Sequence, residues 1–88
     1  MPKYELEIAK SVEKDLKKIA QKMRPVLFDS IEELASNPFP ESKYKKLKGT
    51  VNSFRLRVGN YRILYDVDNN SMKITIYRVR HRKDVYKR

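Results

Sequence analysis

Residues 54–62 read FRLRVGNYR, with Arg55, Arg57 and Arg62 set among apolar residues on both sides of Gly59–Asn60. Arginine stays charged at any working pH, and its planar fork of donors matches a phosphate. Such side chains can hold a phosphoanion but do not carry protons. Proton carriers come from the last ten residues, VRHRKDVYKR, which add Arg80, Arg82 and Lys83 and hold the single histidine, His81, together with Tyr86. His81 is the one side chain that titrates near neutrality. Tyr86 is a phenol beside several cations. A lone histidine in a basic tail is most often only solvated, and an isolated tyrosine most often packs, so both stay open as candidate bases.

Hairpin geometry decides where the arginines point. A two-residue Gly-Asn connection suits a tight turn. It sets Val58 opposite Tyr61 and Arg57 opposite Arg62. Side chains alternate between faces, so Phe54, Leu56, Val58, Tyr61, Ile63, Tyr65 and Val67 share one face. Arg55, Arg57 and Arg62 share the other. A following turn at Asn69–Asn70 sets Val67 opposite Met72 and Asp66 opposite Lys73. Met72, Ile74 and Ile76 then join the apolar face, and Tyr77 falls opposite Arg62, where an aromatic beside cations can stack a base. Continued alternation would bury Arg80, and an unpaired buried cation is too costly. The last strand is therefore expected to end, bulge or twist near Arg78 and free Arg80.

Like charges directly opposite in a sheet cost stability. A charged outer face is usually just solvated, which would explain one alternation of arginine and apolar residues. Three arginines converging across one hairpin, in a segment with no acid from Ser42 to Tyr65, favour an anion site.

The elements that must hold this hairpin are legible along the chain. YELEI (4–8) alternates as a half-buried strand. Ser11 is the expected N-cap of a first helix, with Glu13 and Asp15 in its first turn. Val12, Leu16, Ile19, Ala20 and Met23 follow at helical spacing. Pro25 opens a second helix with Leu27, Ile31 and Leu34 as its stripe and Phe28 and Ala35 beside it, and Asn37–Pro38 ends it. FPESKYKKLKGTVNS is a basic loop. Strands are expected at 53–58, 61–67 and 72–79. The order β-α-α-β-β-β describes an α+β fold: an N-terminal strand, a helical hairpin, then an antiparallel three-strand meander with the helices on one face.

Composition agrees with a single domain over residues 1–88. Of 88 residues, 40% are apolar and 36% charged, and the net charge is +10. That charge is unevenly spread: residues 1–41 hold seven Lys/Arg against eight Asp/Glu, and residues 42–88 hold fourteen against three. The second half suits a polyanion, or an acidic protein. With no cysteine there is no disulfide or thiolate metal site, which fits a cytoplasmic protein. No stretch reads as a membrane span or signal peptide, no Gly-rich phosphate loop is present, and no metal or other cofactor is expected.

In order along the chain, VEKDLKKI, NPFPES, YKKLKG, FRLRVGNYRILYDV and HRKDVY resemble the RelE/ParE superfamily of type II toxins, closest to RelE-like members. The resemblance implies a ribosome-dependent mRNA endonuclease that cleaves the A-site codon and inhibits translation. It also implies a small RelB-like antitoxin partner with an acidic toxin-binding segment, and no membrane. Family basic positions fall on Arg55 and Arg57, the arginine after the turn on Arg62, the strand-end arginine on Arg80, and the C-terminal tyrosine on Tyr86. His81 is nearest to a histidine that some relatives use. Well-studied members have lysine where this chain has Arg55 and Arg57, and arginine cannot act as a base.

The implied chemistry is attack of a ribose 2′-OH on its adjacent phosphate. Arg57, Arg62 and Arg80 stand at the phosphate, and Tyr86 or His81 is the base. Arg55, Tyr77, Arg82 and the loop lysines Lys43, Lys45, Lys46 and Lys48 bind RNA. A ParE-like gyrase inhibitor, a catalytically weak RelE-fold binder and a general nucleic-acid-binding domain are the other readings.

Overall fold

A computed structural model describes residues 3–40, 44–50 and 52–85, with residues 84 and 85 described by their backbone alone. The alternating N-terminal segment forms β1 (Glu5–Ile8), and Ala9 turns the chain into α1 (Lys10–Lys17). A single 3₁₀ turn at Gln21–Met23 leads into α2 (Arg24–Ser36), which has Pro25 in its first turn, where a missing N–H costs nothing. Asn37 ends α2 in an extended conformation, before Pro38. There follow β2 (Tyr44–Lys46), β3 (Ser53–Val58), β4 (Tyr61–Asp68), β5 (Lys73–His81) and a short α3 (Arg82–Val85).

The strands form one sheet in the order β1-β5-β4-β3-β2. β1 runs parallel to β5, and the other pairs are antiparallel. Helices α1 and α2 cover one face. Between the layers, Val12, Leu27 and Ile31 meet Ile63, Tyr65, Ile74 and Ile76, all of them buried. Arg24 Nε donates to Leu16 O at 3.1 Å, so the second helix satisfies a carbonyl near the end of the first.

The α+β class, the helical hairpin and the meander are as expected, but α1 ends at Lys17, short of Ile19, Ala20 and Met23, and three further details differ. The loop 39–53 contains a strand, β2. Its backbone pairs with β3, while its lysines remain exposed, as an edge strand requires no apolar alternation. Tyr44 of β2 packs its ring against Phe39 and Phe54 at 5.5 and 5.9 Å, which anchors the edge.

Second, Ser11 is not a cap. Helix α1 starts two residues earlier, with Ala9 rather than Ser11 at the N-cap position, and no side chain caps it. The Ser11 hydroxyl instead donates to the Tyr77 carbonyl on β5.

Third, the turn after β4 spans Asn69–Met72, with Asp68 opposite Lys73 and Val67 opposite Ile74. The expected pairs Val67–Met72 and Asp66–Lys73 do not form. The cause is local: Asp68 Oδ1 accepts the Asn70 and Ser71 N–H groups at 2.9 and 3.2 Å, and Met72 takes a left-handed φ of 55°, which together need four residues. Those bonds, first that from Ser71, hold the Asp68 carboxyl below its ordinary value. The shift is two residues, so Lys73 to Ile76 keep their expected faces, whereas Met72, expected on the apolar face, lies in the turn. The first hairpin turn forms as expected, with positive φ at Gly59 only.

Tyr65 ties the sheet to the end of α2. It is fully buried, and its hydroxyl donates to Pro38 O at 2.6 Å. Burial, more than the neighbouring Tyr44, pushes that hydroxyl far above its ordinary value. Tyr65→Phe keeps the packing but orphans the Pro38 carbonyl. We expect it to cost about 1–2 kcal/mol in urea unfolding, with an unchanged m-value.

Candidate nucleic-acid interface

Among the described residues no helix covers the other face of the sheet, and its side chains fall in rows across the strands. In β3 and β4, Arg57 lies opposite Arg62; in β4 and β5, Arg62 lies opposite Arg80. Three arginines thus form one row over three neighbouring strands. The next row, two residues along each strand and so about 6.7 Å away, runs Lys45, Arg55, Leu64 and Arg78. A third row holds Ser53, Asp66 and Thr75. The face therefore grades from strongly cationic at the hairpin tip to polar and acidic at the other end.

Arg80 reaches this row through a bulge. Leu64 pairs with Arg78 and Tyr65 with Ile76, which leaves Tyr77 as an extra residue in β5. One inserted residue reverses the alternation beyond it. Val79 then points inward, buried against the core, and Arg80 points outward. The expected escape of Arg80 near Arg78 is what forms. The same bulge overturns the expected position of Tyr77: it is not opposite Arg62, because Arg80 takes that place. The Tyr77 hydroxyl lies with Ser53 and Asp66, and burial raises it above its ordinary value, which disfavours it as a base.

Electrostatically the row is unfavourable on its own. Among the described residues, no carboxylate lies within salt-bridge range of Arg57, Arg62 or Arg80. Each like-charged cross-strand pair costs on the order of a few tenths of a kcal/mol. Arg62 is nonetheless oriented. Its Nη1 donates to Tyr61 O at 2.9 Å and Gly59 O at 3.1 Å, folding the side chain over the turn. That leaves the Nε–Nη2 edge for a bidentate anion.

The remaining candidates divide. Lys45 shares the cationic face with Arg55, whereas Lys46 lies opposite Phe54 and so on the helix side. Lys48 is exposed in the turn at Gly49, and Arg82 is exposed at the start of α3, where its N–H bonds Asn60 O at 2.7 Å. His81 is turned away from the row. It lies opposite Tyr61, and the two rings meet edge-on at 5.4 Å. Its Nδ1 accepts the Lys83 N–H at 3.3 Å. Lys43 and Tyr86 lie outside the described residues.

Two members of the face escaped the sequence reading. Leu64 offers a half-buried apolar patch between Arg55 and Arg78. Its parity with Arg62 was the available signal. Arg78 joins the second row only because of the bulge, which periodicity does not locate. Among the described residues no group of three His, Cys, Asp or Glu side chains could hold a metal.

A family model described as the ParE toxin of type II toxin–antitoxin systems (parDE) matches residues 6–86. This chain belongs to the RelE/ParE superfamily of type II toxins. Toxin RelE3 of Methanocaldococcus jannaschii is 42% identical over 81 residues, covering 89% of this chain and 90% of that one. The archaeal RelE–RelB complex from Pyrococcus horikoshii is similar in structure, with a TM-score of 0.79 and 29% identity over 93% of this chain and 97% of that one. The RelB–RelE antitoxin–toxin complex from Methanococcus jannaschii gives a TM-score of 0.74 and 39% identity over 91% and 94%. The RelE-like fold is thus shared along nearly the whole toxin. Among the described residues, no helix is long and apolar enough to cross a membrane.

If the open face is built for anions, relieving its repulsion should stabilise the free toxin and weaken its grip on RNA. Arg57→Thr is expected to raise stability by roughly 0.3–0.8 kcal/mol at low salt. The same substitution should flatten the salt dependence of binding to a labelled RNA oligonucleotide by about one unit of log–log slope.

Proposed function

We propose that this toxin cleaves mRNA in the ribosomal A site. The observation that carries the reading is the row Arg57–Arg62–Arg80, which can surround one phosphate with three permanently charged forks. In the proposed reaction a ribose 2′-oxygen attacks the adjacent phosphorus. The bond from phosphorus to the 5′-oxygen breaks, giving a 2′,3′-cyclic phosphate and a 5′-hydroxyl. Negative charge builds on the equatorial phosphoryl oxygens and on the leaving oxygen. The arginines stabilise that charge without reorganising, which is commonly the largest catalytic contribution.

The 2′-OH proton needs a base. Arginine is excluded by its pKa, and Tyr65 and Tyr77 hold their protons more tightly than usual because they are buried. His81 faces away from the row with Nδ1 engaged by Lys83. These facts favour Tyr86, the family's C-terminal tyrosine. Leu64 is a platform for a base next to the phosphate, and Arg55, Lys45, Lys48 and Arg82 supply phosphate contacts that position the strand. Few proton carriers are present, so the ribosome supplies geometry that the toxin lacks. The setting is the cytoplasm, where mRNA is translated. The partner is a RelB-like antitoxin, by likeness to the two archaeal complexes, and an acidic segment of it complements the cationic rows.

A second reading, gyrase inhibition, is favoured by the description of the matching family model, which is that of ParE. A supercoiling assay separates the two, since only that reading predicts loss of gyrase activity.

The test adds purified toxin to a translating extract and maps the new mRNA ends. Cleavage within A-site codons, yielding 5′-hydroxyl ends, is expected; intact mRNA at stoichiometric toxin contradicts the reading. Arg62→Ala is expected to lower the cleavage rate by about 10²-fold or more, the usual cost of removing one group that stabilises transition-state charge.

A further inference from the structure

The bulge that brings Arg80 to the open face is held from the other layer. Strand β1 pairs with β5 only as far as Ile76, whose carbonyl accepts the Ala9 N–H at 2.9 Å. Beyond that point, among the described residues, the β1 side of β5 has no neighbouring strand. Side chains of α1 take its place. Ser11 Oγ donates to the Tyr77 carbonyl, Asp15 Oδ2 accepts the Val79 N–H at 2.9 Å, and Asp15 Oδ1 lies 3.6 Å from Arg78 Nη1. These three contacts fall on the inserted residue and the two that follow it.

We propose that Asp15 is a positioning residue for the phosphate site: its carboxylate fixes the bulged phase of β5 and so presents Arg80 beside Arg62. The inference rests on the reading of the arginine row as that site. Asp15 is 9% exposed and lies in the second turn of α1, past the reach of the helix N-terminus. A carboxylate is buried there at a cost unless it is bonded, and its bonds go to the strand. Without it the Val79 N–H is an orphan donor and Arg78 loses its counter-charge within a cationic row. The extra residue is then no longer fixed at Tyr77. Because the side-chain period is two, any single-residue slip takes Arg80 off the open face.

Asp15→Ala removes both bonds, whereas Asp15→Asn keeps an oxygen that can accept from Val79. Each is made alone and with Arg80→Ala, and single-turnover mRNA cleavage on programmed ribosomes is measured beside hydrogen exchange at the Val79 amide. In the wild-type background Asp15→Ala is expected to slow cleavage about 10-fold or more and Asp15→Asn less than about 3-fold; with Arg80 already removed, Asp15→Ala should add less than about 2-fold, because coupled residues are not additive. The Val79 amide should exchange faster in Asp15→Ala and remain protected in Asp15→Asn. Should Asp15→Ala fail to fold, Ser11→Ala, which withdraws the contact at Tyr77, is expected to slow cleavage about 3-fold with the same dependence on Arg80.

Equal losses with and without Arg80, or unchanged Val79 protection in Asp15→Ala, overturn the role of Asp15. A wild-type toxin that cleaves normally beside an equally fast Asp15→Ala overturns the positioning role alone. A wild-type toxin that cleaves nothing overturns the phosphate-site reading and this inference with it.

Discussion

The residue that β5 inserts at Tyr77, between the partners of Leu64 and Tyr65, turns Arg80 out from beneath the helices and into register with Arg62. Without that insertion the strand would carry Arg80 on the same face as Ile76, where a cation has neither water nor a counter-charge. With it, Val79 fills the core and the row of Arg57 and Arg62 gains its third arginine. A bulge at an unpaired edge would normally leave backbone groups unbonded. Here α1 supplies a hydroxyl and a carboxylate where β1 has ended, so the helical layer and the cationic face are parts of one arrangement.

The same arrangement sets stability against function. The apolar face is ordinary: branched residues and Tyr65 packed under two helices, with the buried hydroxyl satisfied by Pro38. The open face gathers like charges that repel. The fold tolerates this because arginine side chains are long and wet, and because Arg62 is tethered to turn carbonyls. An anion on the row would convert repulsion to attraction without moving the backbone, as preorganised electrostatic stabilisation requires.

Much of this was legible in the sequence because strand periodicity is strict. The parity of Phe54, Leu56 and Val58 against Arg55 and Arg57, with a two-residue turn, fixes the first hairpin completely. It also shows that Arg80 cannot continue on the parity of Ile76. What periodicity cannot give is where the extra residue sits, so Tyr77 was expected opposite Arg62. Nor could it reveal that Ser11 and Asp15, which read as helix-start residues, bond a strand edge distant in sequence. β2 was hidden for a different reason: its pairing uses backbone, and KYKK carries no alternation of apolar residues. The four-residue turn at Asn69–Met72 was missed because Asp68 builds it with its side chain.

In the proposed reaction the arginine row acts on the phosphate in the transition state rather than only holding the toxin to its target. Single-turnover cleavage at saturating toxin, compared with the affinity of the same variants for programmed ribosomes, separates these roles for Arg57→Ala, Arg62→Ala and Arg80→Ala. If the row acts in the transition state, each rate at saturation falls by about 10²-fold while affinity changes by less than about 10-fold. Rates at saturation equal to the wild type, with only affinity reduced, would contradict it.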